Sequence, residues 1–275
     1  MSAAMDTWLE ANRALWDELV GVHIRARGTY DIDGFRAGSS TLRAVEVDEV
    51  GDVQGKRLLH LQCHFGMDTL SWARRGAQVV GADFSSEAIS LARQLSAEVA
   101  VPADFVCSNI YELPGKLEGE FDIVFTSHGI LCWLPDLHGW AEVIAHFLAP
   151  GGFFYIVEQH PAGNVFTDRD GELVAGEPYF DVGPFVETSD GSYADRTAVL
   201  QNKTSHEWQH PLSDIINALI GVGLRIEFLH EFPFCMFQKL PSMVKGDDGW
   251  WRLAGRDELP FLFSLKASKS WRKST

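Results

Sequence analysis

The stretch that most constrains this chain runs from Leu58 to Asp83, LLHLQCHFGMDTLSWARRGAQVVGAD. It opens on a short apolar run (Leu58 to Leu61), turns as far as Gly66, takes a helical pattern over about Asp68 to Arg75, and closes a second apolar run on Asp83. Strand, helix and strand in so few residues make a βαβ unit, with the two strands parallel and the crossover helix on one face. Ligands of open α/β sheets bind at the carboxyl edge of the strands, where the turn and the Asp83 carboxylate both fall. An acid 17 residues beyond Gly66 is placed to accept hydrogen bonds from a ribose diol. The unit therefore predicts a nucleoside-containing cofactor.

The turn narrows the choice of nucleoside. A dinucleotide site needs G-x-G-x-x-G so that backbone N–H groups can approach a pyrophosphate. Here the turn reads Gln62-Cys63-His64-Phe65-Gly66-Met67-Asp68, with one glycine and an acid at the helix start. That carboxylate would repel a pyrophosphate and suits a ligand with a cationic amine. With these residues in view, the segment resembles the class I S-adenosylmethionine-dependent methyltransferases, whose first motif reads roughly hh-D/E-h-G-x-G-x-G. Gly66 matches the last glycine, while Gln62 and His64 replace the first two and His60 replaces the usual acid. HLQCHFG followed by DTLSWAR resembles a bacterial subgroup of that family, and FLAPGGFFYIVE at 147–158 is a second stretch typical of it.

The resemblance implies an α/β fold: a Rossmann-like, seven-stranded, mostly parallel sheet with helices on both faces and one antiparallel strand near the C-terminus. It implies S-adenosylmethionine as cofactor and S-adenosylhomocysteine as product. Gln62, Cys63, Gly66 and Asp68 would meet the cofactor from the first turn, Asp83 and Phe84 from the second strand. Asn109 would read the adenine edge beside Ile110, and Ser127 and Trp133 would follow the fourth strand.

Composition excludes several alternatives. A net charge of −15 argues against nucleic-acid partners, which need clustered Lys and Arg, and against anionic membrane surfaces. Cys63, Cys107, Cys132 and Cys235 form no C-x-x-C pair, so reduced thiols in a cytoplasmic protein are expected rather than a zinc site or disulfides. No metal-ligand spacing is present, and no metal is predicted. Residues 1–30 carry four acids and no long apolar core, so no secretory leader is expected. No run approaches the ~18 apolar residues of a membrane span. Either a monomer or a homodimer is compatible with these features.

The expected organisation is one domain over 1–275, with a helical cap at 1–50 and insertions at 161–210 and 231–259. Trp8, Leu15, Trp16, Leu19, Val22 and His23 fall near helical spacing in 8–26; 30–40 reads as a loop and 41–50 as a short helix. Asn109 follows the third strand, and the fourth (Phe121 to Thr126) runs into Ser127-His128-Gly129. The fifth is read as Gly152 to Glu158, with Pro150-Gly151-Gly152 stopping the helix before it. Residues 161–210 show little periodicity, and so long a loop in a compact domain is functional more often than not. Both insertions and the cap are expected around the acceptor, with Trp16, His23, Tyr30, Tyr193, Trp208 and His210 as candidate substrate-binding residues.

Methyl transfer from a sulfonium requires alignment, and an acceptor that loses a proton also requires a base. Histidine titrates near neutrality. His128 and His160, each following a strand, are the candidate catalytic residues. The expected activity is methyl transfer to an oxygen or nitrogen of a small-molecule acceptor. A catalytically inactive protein that binds a nucleoside or S-adenosylmethionine is the alternative, motivated by Gln62 and His64. A nicotinamide-dependent oxidoreductase would need the missing glycines.

Overall fold

The structure, a computed structural model, describes residues 3–26, 28–169 and 171–271. Three helices lead: α1 (Ala3–His23), α2 (Ile32–Arg36) and α3 (Ala44–Val50). The βα rhythm follows as β1 (Arg57–Leu61), α4 (Met67–Arg74), β2 (Gln78–Asp83), α5 (Ser86–Glu98), β3 (Asp104–Cys107), β4 (Phe121–Ser127), α6 (Leu137–Phe147) and β5 (Leu148–Gln159). Two hairpins come next, β6 (Phe166–Arg169) with β7 (Glu172–Ala175) and β8 (Phe185–Thr188) with β9 (Thr204–Glu207). The chain ends with α7 (Leu212–Gly221), β10 (Arg225–Phe232), β11 (Phe234–Cys235), β12 (Met243–Lys245), β13 (Trp251–Leu253) and β14 (Leu262–Ser268).

Local chemistry accounts for several of these boundaries. Ser85 and Asp136 stand before α5 and α6, and their side-chain oxygens accept the orphan N–H groups of the first turns. Asp31 does the same for α2, accepting from Gly34 at 2.8 Å. Residues 30–40, expected as a loop, thus contain one short helix. Its cap outweighs the glycines around it. Pro150 and the two glycines after it do not end α6. The helix stops at Phe147, and β5 begins at Leu148, pairing with β4 across a bulge.

The central sheet has the order β10-β14-β5-β4-β1-β2-β3. Strands β1 to β5 pair in parallel, and β14 runs antiparallel to both β5 and β10. This is the expected seven-stranded sheet with one reversed strand. After β3 the chain returns to the other side of β1, so strand order switches between β1 and β4. The loops leaving those two strands therefore diverge and open a crevice at the carboxyl edge. Alternation along β1 builds the two faces. Leu59 and Leu61 join a core with Trp140, Ile144 and Leu219 of α6 and α7, whereas Leu58 packs with Trp72, Val79 and Val50 on the opposite face.

The two insertions are more ordered than their sequence suggests. Residues 161–210 hold the two hairpins, and 231–259 a three-stranded sheet of order β11-β13-β12. Their strands are two to four residues long and mostly half-exposed, so an alternating apolar pattern has little buried face to record it. Among the described residues no helix is long and apolar enough to cross a membrane.

Candidate active site

The turn after β1 keeps a glycine-like backbone without the glycines. Gln62 and His64 sit at φ +55° and +51°, in the left-handed region that side-chain-bearing residues seldom adopt. Gly66, at φ +78°, caps α4 in the same region, and a Cβ there would lie 2.7 Å from the Phe105 ring. Close approach of turn, α5 and β3 thus requires glycine at 66, whereas 62 and 64 carry side chains at a conformational cost of about 1 kcal/mol each. Cys63 turns inward, its side chain joining the core with Phe65 and Phe105. That placement makes it a packing residue of the turn.

Asp83 ends β2 beside this turn. One oxygen accepts the His64 N–H and the other the Ser85 N–H, both at 2.9 Å. Burial pushes its carboxyl up to about 6, the two N–H bonds opposing the rise and the nearby Asp17 carboxylate adding to it. Beyond Asp83 lies a cleft of about 410 Å³, lined by Phe84, Ser108 and Asn109 on the sheet side and by Leu9, Glu10 and Arg13 of α1 above. Asn109 lies in the expected place, but its Oδ1 accepts the Tyr111 N–H at 3.1 Å and caps a 3-10 turn. Ile110 packs its side chain into the core beneath.

On the other side of the turn, Asp68 opens α4 and accepts hydroxyl hydrogen bonds from Thr41 and, at 3.1 Å, from Ser127 of β4. The α1 helix closes over this region. Trp16 meets Trp133 edge-on at 5.3 Å and His64 at 5.4 Å, and His23 lies 5.3 Å from His64. His23 stacks on Tyr30, and its Nε2 is 2.7 Å from the Ser192 hydroxyl. The Tyr30 and Tyr193 hydroxyls bond each other. Burial lowers His23 to about 4 and His64 well below the usual histidine value, so both rings are neutral at pH 7. Four buried polar atoms here have no hydrogen-bond partner: Trp16 Nε1, His23 Nδ1, Gln62 Oε1 and His64 Nε2.

The loop leaving β4 is held by Glu158 of β5. Its two oxygens accept the N–H groups of Gly129, Ile130, Leu131 and Gln159 at 2.6–3.3 Å. His128 precedes that loop at φ +48°, with Nε2 3.1 Å from Oε1 of Glu46, a carboxylate only 1% exposed on α3. His160 behaves differently. Its Nδ1 accepts the Ala162 N–H and so caps the turn after β5, and its Nε2 stands 2.8 Å from Glu231. His210 likewise braces the β4 loop through the Leu134 carbonyl at 2.7 Å. Trp208 lies tilted against Trp8 at 5.9 Å and gives its backbone N–H to the Cys132 carbonyl, outside the cluster around Trp16. Of the six substrate candidates, Trp16, His23, Tyr30 and Tyr193 come together, and Trp208 and His210 do not.

Several residues here carry no local sequence signal. Glu46, Thr41 and Asp17 (which accepts the Ser85 hydroxyl at 2.6 Å) reach the site from the cap, 27 to 82 residues before their partners. An acid on a short amphipathic helix looks solvated until packing turns it inward.

Residues 59–156 match the family model described as a methyltransferase domain. The chain is similar to the ubiquinone biosynthesis O-methyltransferase of Chromobacterium violaceum, 32% identical over 114 residues, which cover 42% of this chain and 49% of that protein. It is also 32% identical over 151 residues to the enzyme of that name from Xanthomonas oryzae pv. oryzae, covering 53% and 63%. The chain thus spans less than two thirds of the length of these curated relatives. Among solved structures, an S-adenosylmethionine-dependent methyltransferase from Mesorhizobium loti shares the fold, with TM-score 0.57 over 82% of this chain and 98% of that one at 22% identity. Residues 59–156 thus match a methyltransferase domain model, and the sheet that carries them has the fold of that solved structure.

Proposed function

We propose that this chain transfers a methyl group from S-adenosylmethionine to an oxygen or nitrogen nucleophile of a small-molecule acceptor, as one domain with a helical cap and two acceptor-side insertions. The observation that carries the reading is the edge of β1 and β2, where a buried carboxylate stands between a left-handed turn and an adjoining cleft, an arrangement that suits a ribose at the carboxylate and an adenine in the cleft. The residues also fit the cofactor's amino-acid end. Trp16 Nε1 can only donate and Gln62 Oε1 can only accept, a donor and an acceptor of the kinds that the cofactor's carboxylate and ammonium would meet. Asp68 adds an acceptor for the ammonium. Side chains at 62 and 64 would then extend the cofactor site. The similarity to O-methyltransferases of ubiquinone biosynthesis favours an oxygen nucleophile.

When bound, the cofactor supplies an activated methyl group, and the protein's task is to align the acceptor and manage its proton. His128 is the residue for the proton. If its Nε2–H donates to Glu46, the lone pair is left on Nδ1, the atom that would take a proton from the acceptor. Glu46 acts through His128 as a positioning residue. Calorimetry with S-adenosylmethionine, S-adenosylhomocysteine and NAD tests the cofactor. Both sulfur ligands should bind and NAD should not, and binding of none would sink the reading. In a screen of small acceptors read by released S-adenosylhomocysteine, His128→Ala should lower kcat by ~10²–10⁴-fold with cofactor affinity kept. Full activity in that variant would leave alignment as the whole catalytic account.

A further inference from the structure

A half-buried lysine stands at the acceptor end of the sheet with no carboxylate of the described residues in hydrogen-bond range. Lys239, in the turn between β11 and β12, places Nζ 3.2 Å from Gln159 Oε1 and 2.5 Å from Asn164 Oδ1. Both partners are neutral amides. The nearby carboxylate is Glu158, whose oxygens are already occupied by four backbone N–H groups. Burial lowers the lysine's pKa, the sign of an ammonium taken from water without full compensation. Gly163 leaves room for its stem, since a Cβ there would stand 3.4 Å from Lys239 Cε. Gln159 is the last residue of β5, and its Nε2 would lie 3.4 Å from a Cβ on Gly129, so its amide spans from Lys239 to the loop leaving β4.

We propose that Lys239 and the Gln159 amide form an anion-recognition subsite, and that the methyl acceptor is a small molecule bearing a carboxylate or comparable anionic group apart from its nucleophile. This rests on the methyltransferase reading above. Two amide oxygens hold the ammonium in place and leave its third N–H to give, while Gln159 Nε2 is a neutral donor between the lysine and the β4 loop. The pair lies beyond the ends of β4 and β5, across β1 from Asp83. An anion bound there would restore the charge balance that the lysine lacks. It would also fix one end of the acceptor while the other reaches toward the β4 loop.

The test uses benzoate as the anionic probe and benzamide as its neutral counterpart, each titrated calorimetrically into the full chain loaded with S-adenosylhomocysteine. Benzoate should bind about tenfold to a hundredfold more tightly than benzamide. Lys239→Met should erase that preference and Lys239→Arg should retain most of it, with S-adenosylhomocysteine affinity and melting temperature unchanged in both. Equal binding of the two probes, no binding of either, or a preference that survives in Lys239→Met overturns the subsite. Failure of S-adenosylhomocysteine itself to bind the unmodified chain would instead defeat the cofactor reading, so the two failures are distinct.

Discussion

The two halves of the sheet's carboxyl edge are built by different means. On the proposed cofactor side, the turn, the Asp83 carboxylate and the Asn109 strand end all come from consecutive βα units, and the backbone N–H groups of His64 in the turn and of Ser85 just beyond β2 hold the acid. On the acceptor side, the loop leaving β4 is shaped by Glu158 from β5, His128 is met by Glu46 from α3, and α1 and Lys239 close it from opposite ends of the chain. A ligand common to many enzymes can be met by one contiguous segment. On the proposed function, an acceptor particular to this protein would be met by parts that the chain collects from far apart.

That contrast can be broken at its strongest point. Glu158→Ala removes the acceptor for four N–H groups, three of them on the β4 loop. It should cost about 3 kcal/mol or more in urea unfolding. A loss under about 1 kcal/mol would mean that the loop does not depend on β5. On the cofactor side, Gly66→Ala forces a Cβ against Phe105 in a left-handed backbone, and a loss of roughly 2 kcal/mol is expected. An unchanged melting temperature would show that the turn can move away from α5 and β3.

Asp83→Asn sharpens the comparison through binding. S-adenosylmethionine affinity should fall about tenfold to a hundredfold with the fold retained. In the parent protein affinity should also fall as pH drops below about 6, where the Asp83 carboxylate takes up its proton. Stability of the cofactor-free protein should run the other way. Between the unfolded value of about 3.9 and about 6, the folded form holds a proton that the unfolded form releases, so Asp83's contribution to stability declines as pH rises through that window. Titration of affinity against pH checks the first sign and urea unfolding of the cofactor-free protein against pH the second, and a flat affinity profile would remove Asp83 from ligand contact.

The smallest effect concerns the replaced glycines. Gln62→Gly relieves a left-handed side-chain residue but adds freedom to the unfolded chain, so a gain of less than about 1 kcal/mol is expected. Its S-adenosylhomocysteine affinity should drop while that for 5′-methylthioadenosine, which lacks the amino-acid end, holds steady. Equal changes for both ligands would move Gln62 away from that end.

What the sequence determined by itself was whatever a short contiguous stretch can encode. Apolar runs of strand length, the helix caps Ser85 and Asp136, the single glycine at 66 and the acid at 83 act within a few residues of their partners. The parallel pairing of β1 and β2 and the edge that their ends share follow from them once the crossover takes its usual hand. Only the tertiary structure decided the rest. It made Glu46 a buried partner of His128, turned His160 and His210 into braces, separated Trp208 from the aromatic group around Trp16, and ordered both insertions into small antiparallel sheets. Each of those outcomes depends on a partner tens of residues away or more. Side-chain type and spacing are the same whether a histidine meets a ligand, a carbonyl or a carboxylate, and packing alone distinguishes them.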